Sequence, residues 1–241
     1  MTTITALPIQ SRATDLARTA RVTGAWYLAL ALTGLVGFVV IRAQIFDTDS
    51  ADATYANLVE NAGLAQLGFA LELAVVITQA VLAVYFYKLY REASNVAAIA
   101  IMVFGMANAA AIMVSAMFMG TALATTTDAS LAGLDGPPTV QLLYTLSASA
   151  WSVGGIFFGL WLIPMGWAVL KSGFAPRALG WILIAGSVGY IASSVVVVAV
   201  PDASATVVNG LPLLASVGEF WMIGYLLIRG VRRTASVEVS R

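Results

Sequence analysis

The chain has 241 residues, of which 60% are hydrophobic and 10% are charged, and its formal net charge is zero. Soluble domains carry about 25% charged residues, so this composition excludes an ordinary water-soluble domain. Because the chain has neither cysteine nor histidine, disulfides, thiol chemistry, His- or Cys-bound zinc and Ser-His or Cys-His nucleophile pairs are also excluded. We therefore expect no cofactor and no metal site.

Six apolar segments predict six transmembrane helices, since a helix that spans a bilayer needs about 20 mainly apolar residues. The predicted fold is all-α, a polytopic membrane protein built as a bundle of six transmembrane helices. Residues 1–21 and 231–241 are predicted tails outside one domain, residues 22–230. In chain order the predicted spans cover residues 22–41, 64–90, 96–121, 140–170, 178–200 and 211–229.

The connection after the first predicted span reads FDTDSADATYANLVENAG. It begins with Asp and Ser residues, which are preferred helix N-caps, and it closes on a glycine. This pattern predicts a short helix that ends near Gly63, outside the membrane.

The basic residues predict the orientation of the bundle. Eleven of the twelve Lys and Arg residues lie on one side of the six-span arrangement, and Arg42 alone lies on the other. Basic residues are enriched in cytoplasmic connections. Both termini are therefore expected in the cytoplasm, with the first span retained as an anchor.

Two acidic residues, Glu72 and Glu219, lie inside predicted spans. On insertion scales an acidic residue at mid-helix costs roughly 2.5–3.5 kcal/mol. Each acid lies about 12 Å from the outer end of its span at 1.5 Å per residue, which predicts a shared environment. Arg42, expected at the outer membrane interface, is a possible counter-ion for either acid.

These acids and the polar faces of neighbouring spans predict an outward-facing polar cavity that binds a ligand. Intramembrane ionisable residues are commonly functional. Interhelical hydrogen bonds explain the same residues without any ligand, and both interpretations stay open here. The predicted lining consists of Glu72, Gln79, Asn108, Tyr144, Ser147, Trp151, Glu219 and Trp221.

Three stretches of the chain are similar to a known bacterial family. They are ARVTGAWYLALALTGLVG, LKSGFAPRALGWILIAGSVGY and GEFWMIGYLLIRG, and the Lys171–Arg177 turn is the most specific of the matching pieces. The chain resembles domain-of-unknown-function family 4386 from about Ala20 to Arg229. The resemblance implies a bacterial multi-pass inner-membrane protein, and it implies no activity and no catalytic residue.

Three functions fit these observations. The first is binding or transport of a small molecule through the predicted cavity. The alternative is a non-catalytic structural or partner subunit whose polar residues hold helices together. An enzyme that uses Glu72 and Glu219 as an acid/base pair is the least favoured, because no nucleotide or phosphate motif is present. The expected partners are the lipid bilayer and a small molecule, and no nucleic acid is expected.

Overall fold

In this computed structural model, residues 9–131, 133–200 and 202–231 are described. The first span is one continuous helix that starts as an α-helix at Ile9–Gly34, widens into a π-helix at Leu35–Ile41 and closes with Arg42–Ile45. It therefore begins well before residue 22, inside the segment predicted to be a tail. Residues 1–8 and 232–241 of the predicted tails lie outside the described residues.

The remaining described elements are also helices. Ser50 caps the short helix Ala51–Glu60 by accepting a hydrogen bond from the Ala53 N–H, which confirms the predicted short helix in this connection. A 3-10 turn, Ala129–Leu131, lies in the connection after the third span. The second to sixth spans are Ala62–Tyr90, Asn95–Thr127, Gly136–Ser172, Arg177–Ala199 and the pair Ala205–Gly210 and Leu213–Ile228.

Six of the described helices are long and apolar enough to cross a membrane, with mean hydropathy between 1.7 and 2.2. The predicted class, an all-α six-span bundle, is confirmed. Many large apolar side chains on the outer surface are exposed, including Trp167, Trp181 and Val96 at 52%, 61% and 80%. An apolar outer surface is the surface that a lipid environment requires.

The six spans form a closed ring. Each span packs against its neighbours in the sequence, and the sixth span packs against the first. Gly24 permits the closing contact, because a Cβ atom there would lie 2.9 Å from Leu226 Cβ. The ring order places the first span between the second and the sixth, so residues of the first span can reach both acidic residues.

Aromatic side chains fill the interior of the ring between the Glu72 level and the ends of the spans that lie on the side of the chain termini. Trp161 of the fourth span is fully buried, and its ring lies edge-on to Tyr27 of the first span and Phe86 of the second, at centroid distances of 5.7 and 5.9 Å. Edge-to-face aromatic pairs add about 0.5–1.5 kcal/mol beyond the area that they bury. This cluster fixes the positions of the first, second and fourth spans relative to one another along the bundle axis.

The turn between the fourth and fifth spans is anchored in this core. Gly173 ends the fourth span in the left-handed conformation, with φ of 64°, where an L-residue would be strained. The next residue, Phe174, is buried and stacks on Tyr90 at 6.0 Å, and its N–H donates to the Ser172 hydroxyl. The structure therefore explains the KSGFAPR sequence: Gly173 permits the chain to reverse, and Phe174 packs into the core and holds the turn in place.

Candidate functional site

Arg42 lies inside the bundle, with only 6% of its surface exposed. Its Nη1 donates to the Ser147 hydroxyl at 2.9 Å, and its Nη2 donates to the Tyr144 carbonyl at 2.9 Å. Nη1 also lies 3.7 Å from Glu72 Oε1. The structure therefore gives Arg42 one acidic partner, Glu72, and connects the first span to the second and fourth.

The π-helical segment explains why Arg42 points inward. The Arg42 N–H donates to the carbonyl of Gly37, five residues earlier. A π turn holds more residues than an α turn, so it rotates the side chains that follow it, and such segments occur frequently at functional sites. Gly37 lets this wide turn approach the second span, because a Cβ there would lie 3.1 Å from Leu71 Cβ. Of the two acids that Arg42 was predicted to pair with, this segment turns it toward Glu72.

Glu72 is almost fully buried, and its contacts with polar groups of the described residues all involve one oxygen, Oε1. Oε1 accepts hydrogen bonds from the Ser115 hydroxyl at 2.9 Å and from the indole N–H of Trp151. The hydroxyls of Ser115 and Ser147 lie 2.6 Å apart, which closes the network with Arg42. We call Arg42, Glu72, Ser115, Ser147 and Trp151 the Glu72 network. It joins four of the six spans through charged and polar contacts.

A second polar level lies next to the Glu72 network. In the second, third and fourth spans, one residue of this level lies seven positions from a residue of the Glu72 network. The pairs are Gln79 with Glu72, Asn108 with Ser115, and Gly154 with Ser147. Gly154 makes room for the Asn108 amide, since a Cβ there would lie 3.2 Å from Asn108 Oδ1. The Gln79 and Asn108 amides are buried and have no hydrogen-bond partner among the described residues. An unpaired buried amide costs about 1–3 kcal/mol, so a small polar group such as water would stabilise this level.

Glu219 occupies a separate environment. Its Oε1 accepts a hydrogen bond from the Tyr27 hydroxyl at 2.6 Å, and its Oε2 accepts one from the Tyr190 hydroxyl at 3.2 Å. No Lys or Arg in the described ranges forms an ion pair with Glu219; the ion pair found there is that of Arg42 and Glu72. The carboxyl group is therefore held by two phenols from the first and fifth spans and has no basic partner among the described residues.

Glu219 lines a cavity of about 510 Å³ between the first, fourth, fifth and sixth spans, which we call the Glu219 cavity. Most of its wall is apolar, and much of it is aromatic. The rings of Phe38 and Trp151 lie against each other on the wall at 4.3 Å, and those of Phe158 and Tyr190 stack at 5.7 Å. Serine hydroxyls line part of the remaining surface: Ser152, Ser193, Ser194 and Ser216.

The structure divides the residues that were predicted to share one polar cavity. Glu219 and Trp151 line the Glu219 cavity, whereas Glu72 does not. Trp221 is 38% exposed and does not line it either. The other predicted residues are buried in the Glu72 network or beside it: Gln79, Asn108, Tyr144 and Ser147. The cavity is thus more apolar than expected, and it belongs to one acid instead of two.

Trp151 is the residue common to both environments. Its indole N–H donates to Glu72, and its ring forms part of the cavity wall beside Phe38. The Phe38 ring in turn lies 5.3 Å from the guanidinium carbon of Arg42. A molecule in the cavity would therefore touch two rings that contact the buried ion pair, without touching the ion pair itself.

Sequence reasoning missed the two phenols that hold Glu219. Tyr27 and Tyr190 lie in the predicted spans 22–41 and 178–200, which contain no acidic residue, and nothing in the local sequence relates them to the sixth span. The available signal was their position: each is a tyrosine within an apolar span, where a buried hydroxyl requires a partner. Finding that partner required the ring order of the helices.

The comparisons with known proteins agree with this architecture. The family described as "Domain of unknown function (DUF4386)" matches residues 22–230, which covers all six spans. No match to the chain was found among curated proteins or among solved structures. The chain is a six-span integral membrane protein that belongs to the DUF4386 family.

Proposed function

We propose that this protein binds a small amphipathic molecule in the Glu219 cavity. The observation that carries the proposal is a cavity of about 510 Å³ with a largely apolar wall and one carboxylate at its surface. Small-molecule sites have volumes of roughly 300–1,000 Å³, apolar walls and a few polar groups that orient the ligand. The cavity meets each of these criteria, and Glu219 with its two phenols is the orienting group.

The cavity opens sideways between the first and sixth spans. Three apolar residues that line it are also substantially exposed on the outer surface: Leu35 at 48%, Val39 at 58% and Phe220 at 59%. The Leu35–Ile41 segment packs against the second span, so it does not close the gap toward the sixth. An apolar opening in the side of a membrane bundle admits molecules that are dissolved in the bilayer, which supports an amphipathic ligand.

Two features support binding over a purely structural role. Helices that only hold one another together bury small residues and hydrogen bonds at their contacts, as the Glu72 network does. The Glu219 cavity instead leaves space beside an unbalanced carboxylate, and an unpaired buried charge is costly. A ligand that contacts Glu219 offsets this cost, whereas a subunit that acts only through its surface does not.

We also propose that both termini are cytoplasmic, that the cavity lies in the outer half of a bacterial inner membrane, and that the ligand enters there. The side bias of the basic residues supports this orientation, with Lys88, Arg91, Lys171 and Arg177 in the two connections on the side of the termini. Fusions of a fluorescent protein after Arg241 should fluoresce, and alkaline phosphatase fused there should be inactive. Active phosphatase at that position would refute the orientation.

Binding is tested by filling the cavity with a side chain. Gly34 lines the cavity, and a Cβ at Gly34 would meet no atom within 4 Å. Gly34→Leu should therefore leave the fold intact and abolish the thermal stabilisation given by any ligand found in a panel of cationic, neutral and anionic amphiphiles. The same panel is applied to each variant. The readout is the change in melting temperature that each amphiphile causes in the detergent-solubilised protein.

The matched control is Gly224→Leu. Gly224 is also helical and also has no atom within 4 Å of a built Cβ, but it does not line the cavity. Both substitutions gain similar helix propensity, about 1 kcal/mol, so they should have similar stability without ligand. The proposal is wrong if the stabilising ligands act equally on the two variants, or if no amphiphile in the panel stabilises the unaltered protein.

A further inference from the structure

Among the described residues, Glu219 is the one Asp, Glu, Lys or Arg on the wall of the Glu219 cavity. Both of its oxygens accept phenolic hydrogen bonds, from Tyr27 at 2.6 Å and Tyr190 at 3.2 Å. Donors on both oxygens favour an ionised acceptor, since hydrogen bonds to a charged group are the stronger ones. Arg42, the buried basic residue of the first span, is paired with Glu72. Among the described residues, no basic group pairs with this carboxyl group, and a bound cation would stabilise its ionised form.

The aromatic rings on the wall also favour a positively charged ligand. Phe38, Trp151, Phe158 and Tyr190 line the cavity as two pairs of packed rings. The face of an aromatic ring attracts a cation, by about 0.5–1 kcal/mol at exposed sites and about 2 when water is excluded. A carboxylate surrounded by rings is a site for an organic cation, because the rings contact the substituents and the carboxylate balances the charge.

We infer that the ligand of the Glu219 cavity is a lipophilic organic cation with a single charge, such as a substituted ammonium or phosphonium. This inference rests on the proposed binding function and narrows it to one class of ligand. One carboxylate matches one positive charge. A bare divalent metal ion does not fit, since Ca²⁺ and Mg²⁺ take about six or more oxygen ligands, and the cavity is mostly apolar. The exposed residues Leu35 and Phe220 at its rim suit entry of a molecule with a large apolar surface.

Tetraphenylphosphonium and tetraphenylborate test the inference, because they have nearly the same shape and opposite charge. Binding to the detergent-solubilised protein is measured by titration calorimetry and by quenching of tryptophan fluorescence, to which Trp151 contributes from the cavity wall. We expect the phosphonium to bind and the borate to bind at least about tenfold more weakly. Glu219→Gln should weaken phosphonium binding by about tenfold to a hundredfold and should reduce the difference between the two ions.

Two further variants separate the possible results. Gly224→Leu adds a side chain outside the cavity, so it should bind the phosphonium as the unaltered protein does, and Gly34→Leu should bind neither ion. If the borate or a neutral amphiphile binds as well as the phosphonium and Gly34→Leu abolishes that binding, the cation inference is wrong while the proposed binding function stands. If Gly34→Leu changes nothing, both are wrong.

Discussion

Replacing Arg42 with methionine should lower the free energy of unfolding by about 3–5 kcal/mol, the usual cost of removing one partner of a buried ion pair. Glu72 would keep its buried charge and lose the guanidinium 3.7 Å away. Ser147 and the Tyr144 carbonyl would lose their donor at the same time. The measurement is denaturant unfolding of the protein in detergent, followed by helix content.

A second substitution shows whether the loss comes from the unpaired charge. Arg42→Met combined with Glu72→Gln removes both charges, and replacing a whole buried pair is often nearly neutral. The double variant should therefore recover most of the stability. Arg91→Met is the matched control, since Arg91 is exposed, and it should change stability by less than about 0.5 kcal/mol. A loss below about 1 kcal/mol for Arg42→Met alone would mean that Arg42 and Glu72 are not a buried pair.

Replacing Gly166 with alanine should cost about 3 kcal/mol, a large effect for one added methyl group. Gly166 lies at a close contact between the fourth and fifth spans, and a Cβ there would clash with the Gly180 carbonyl oxygen and lie 2.7 Å from Ile184 Cγ1. A backbone oxygen cannot rotate away as a side chain can, so the two helices must separate. Small residues permit such close helix contacts in membrane proteins.

Gly224→Ala gives the opposite sign for the same chemical change. No atom lies within 4 Å of a Cβ built at Gly224, so alanine should stabilise the helix by about 1 kcal/mol through its higher helix propensity. Both variants are compared by thermal unfolding in the same detergent. If Gly166→Ala also stabilises the protein, the fourth and fifth spans are not in backbone contact at this position.

Glu72 and Glu219 lie in separate environments, which suggests that the two acids have different roles. In the Glu72 network, Oε1 of Glu72 accepts two hydrogen bonds and lies close to Arg42. These contacts join four spans, so Glu72 serves to hold helices together. Glu219 is held by phenols at the edge of an open space, so its charge is available to a ligand. Trp151 contacts both environments, and a ligand that shifts its ring would change the hydrogen bond to Glu72.

The membrane class, the number of spans and the inward faces of the central spans could be predicted from the sequence by itself. A bilayer imposes these features locally, because each span must be long, apolar and free of unpaired charge. Asn108 of the third span and Tyr144 and Ser147 of the fourth were predicted to face the interior, and all three are buried.

The partners of the two acids were decided only by the tertiary structure. Arg42 reaches Glu72 because a π-helical segment rotates it inward, and no simple periodicity in LVGFVVI shows that change of pitch. Glu219 meets Tyr27 because the sixth span closes the ring onto the first. Equal depth in the membrane suggested that the acids share a site, but depth is set by each helix alone. Proximity depends on the order and rotation of helices, which arise from packing between segments far apart in the chain.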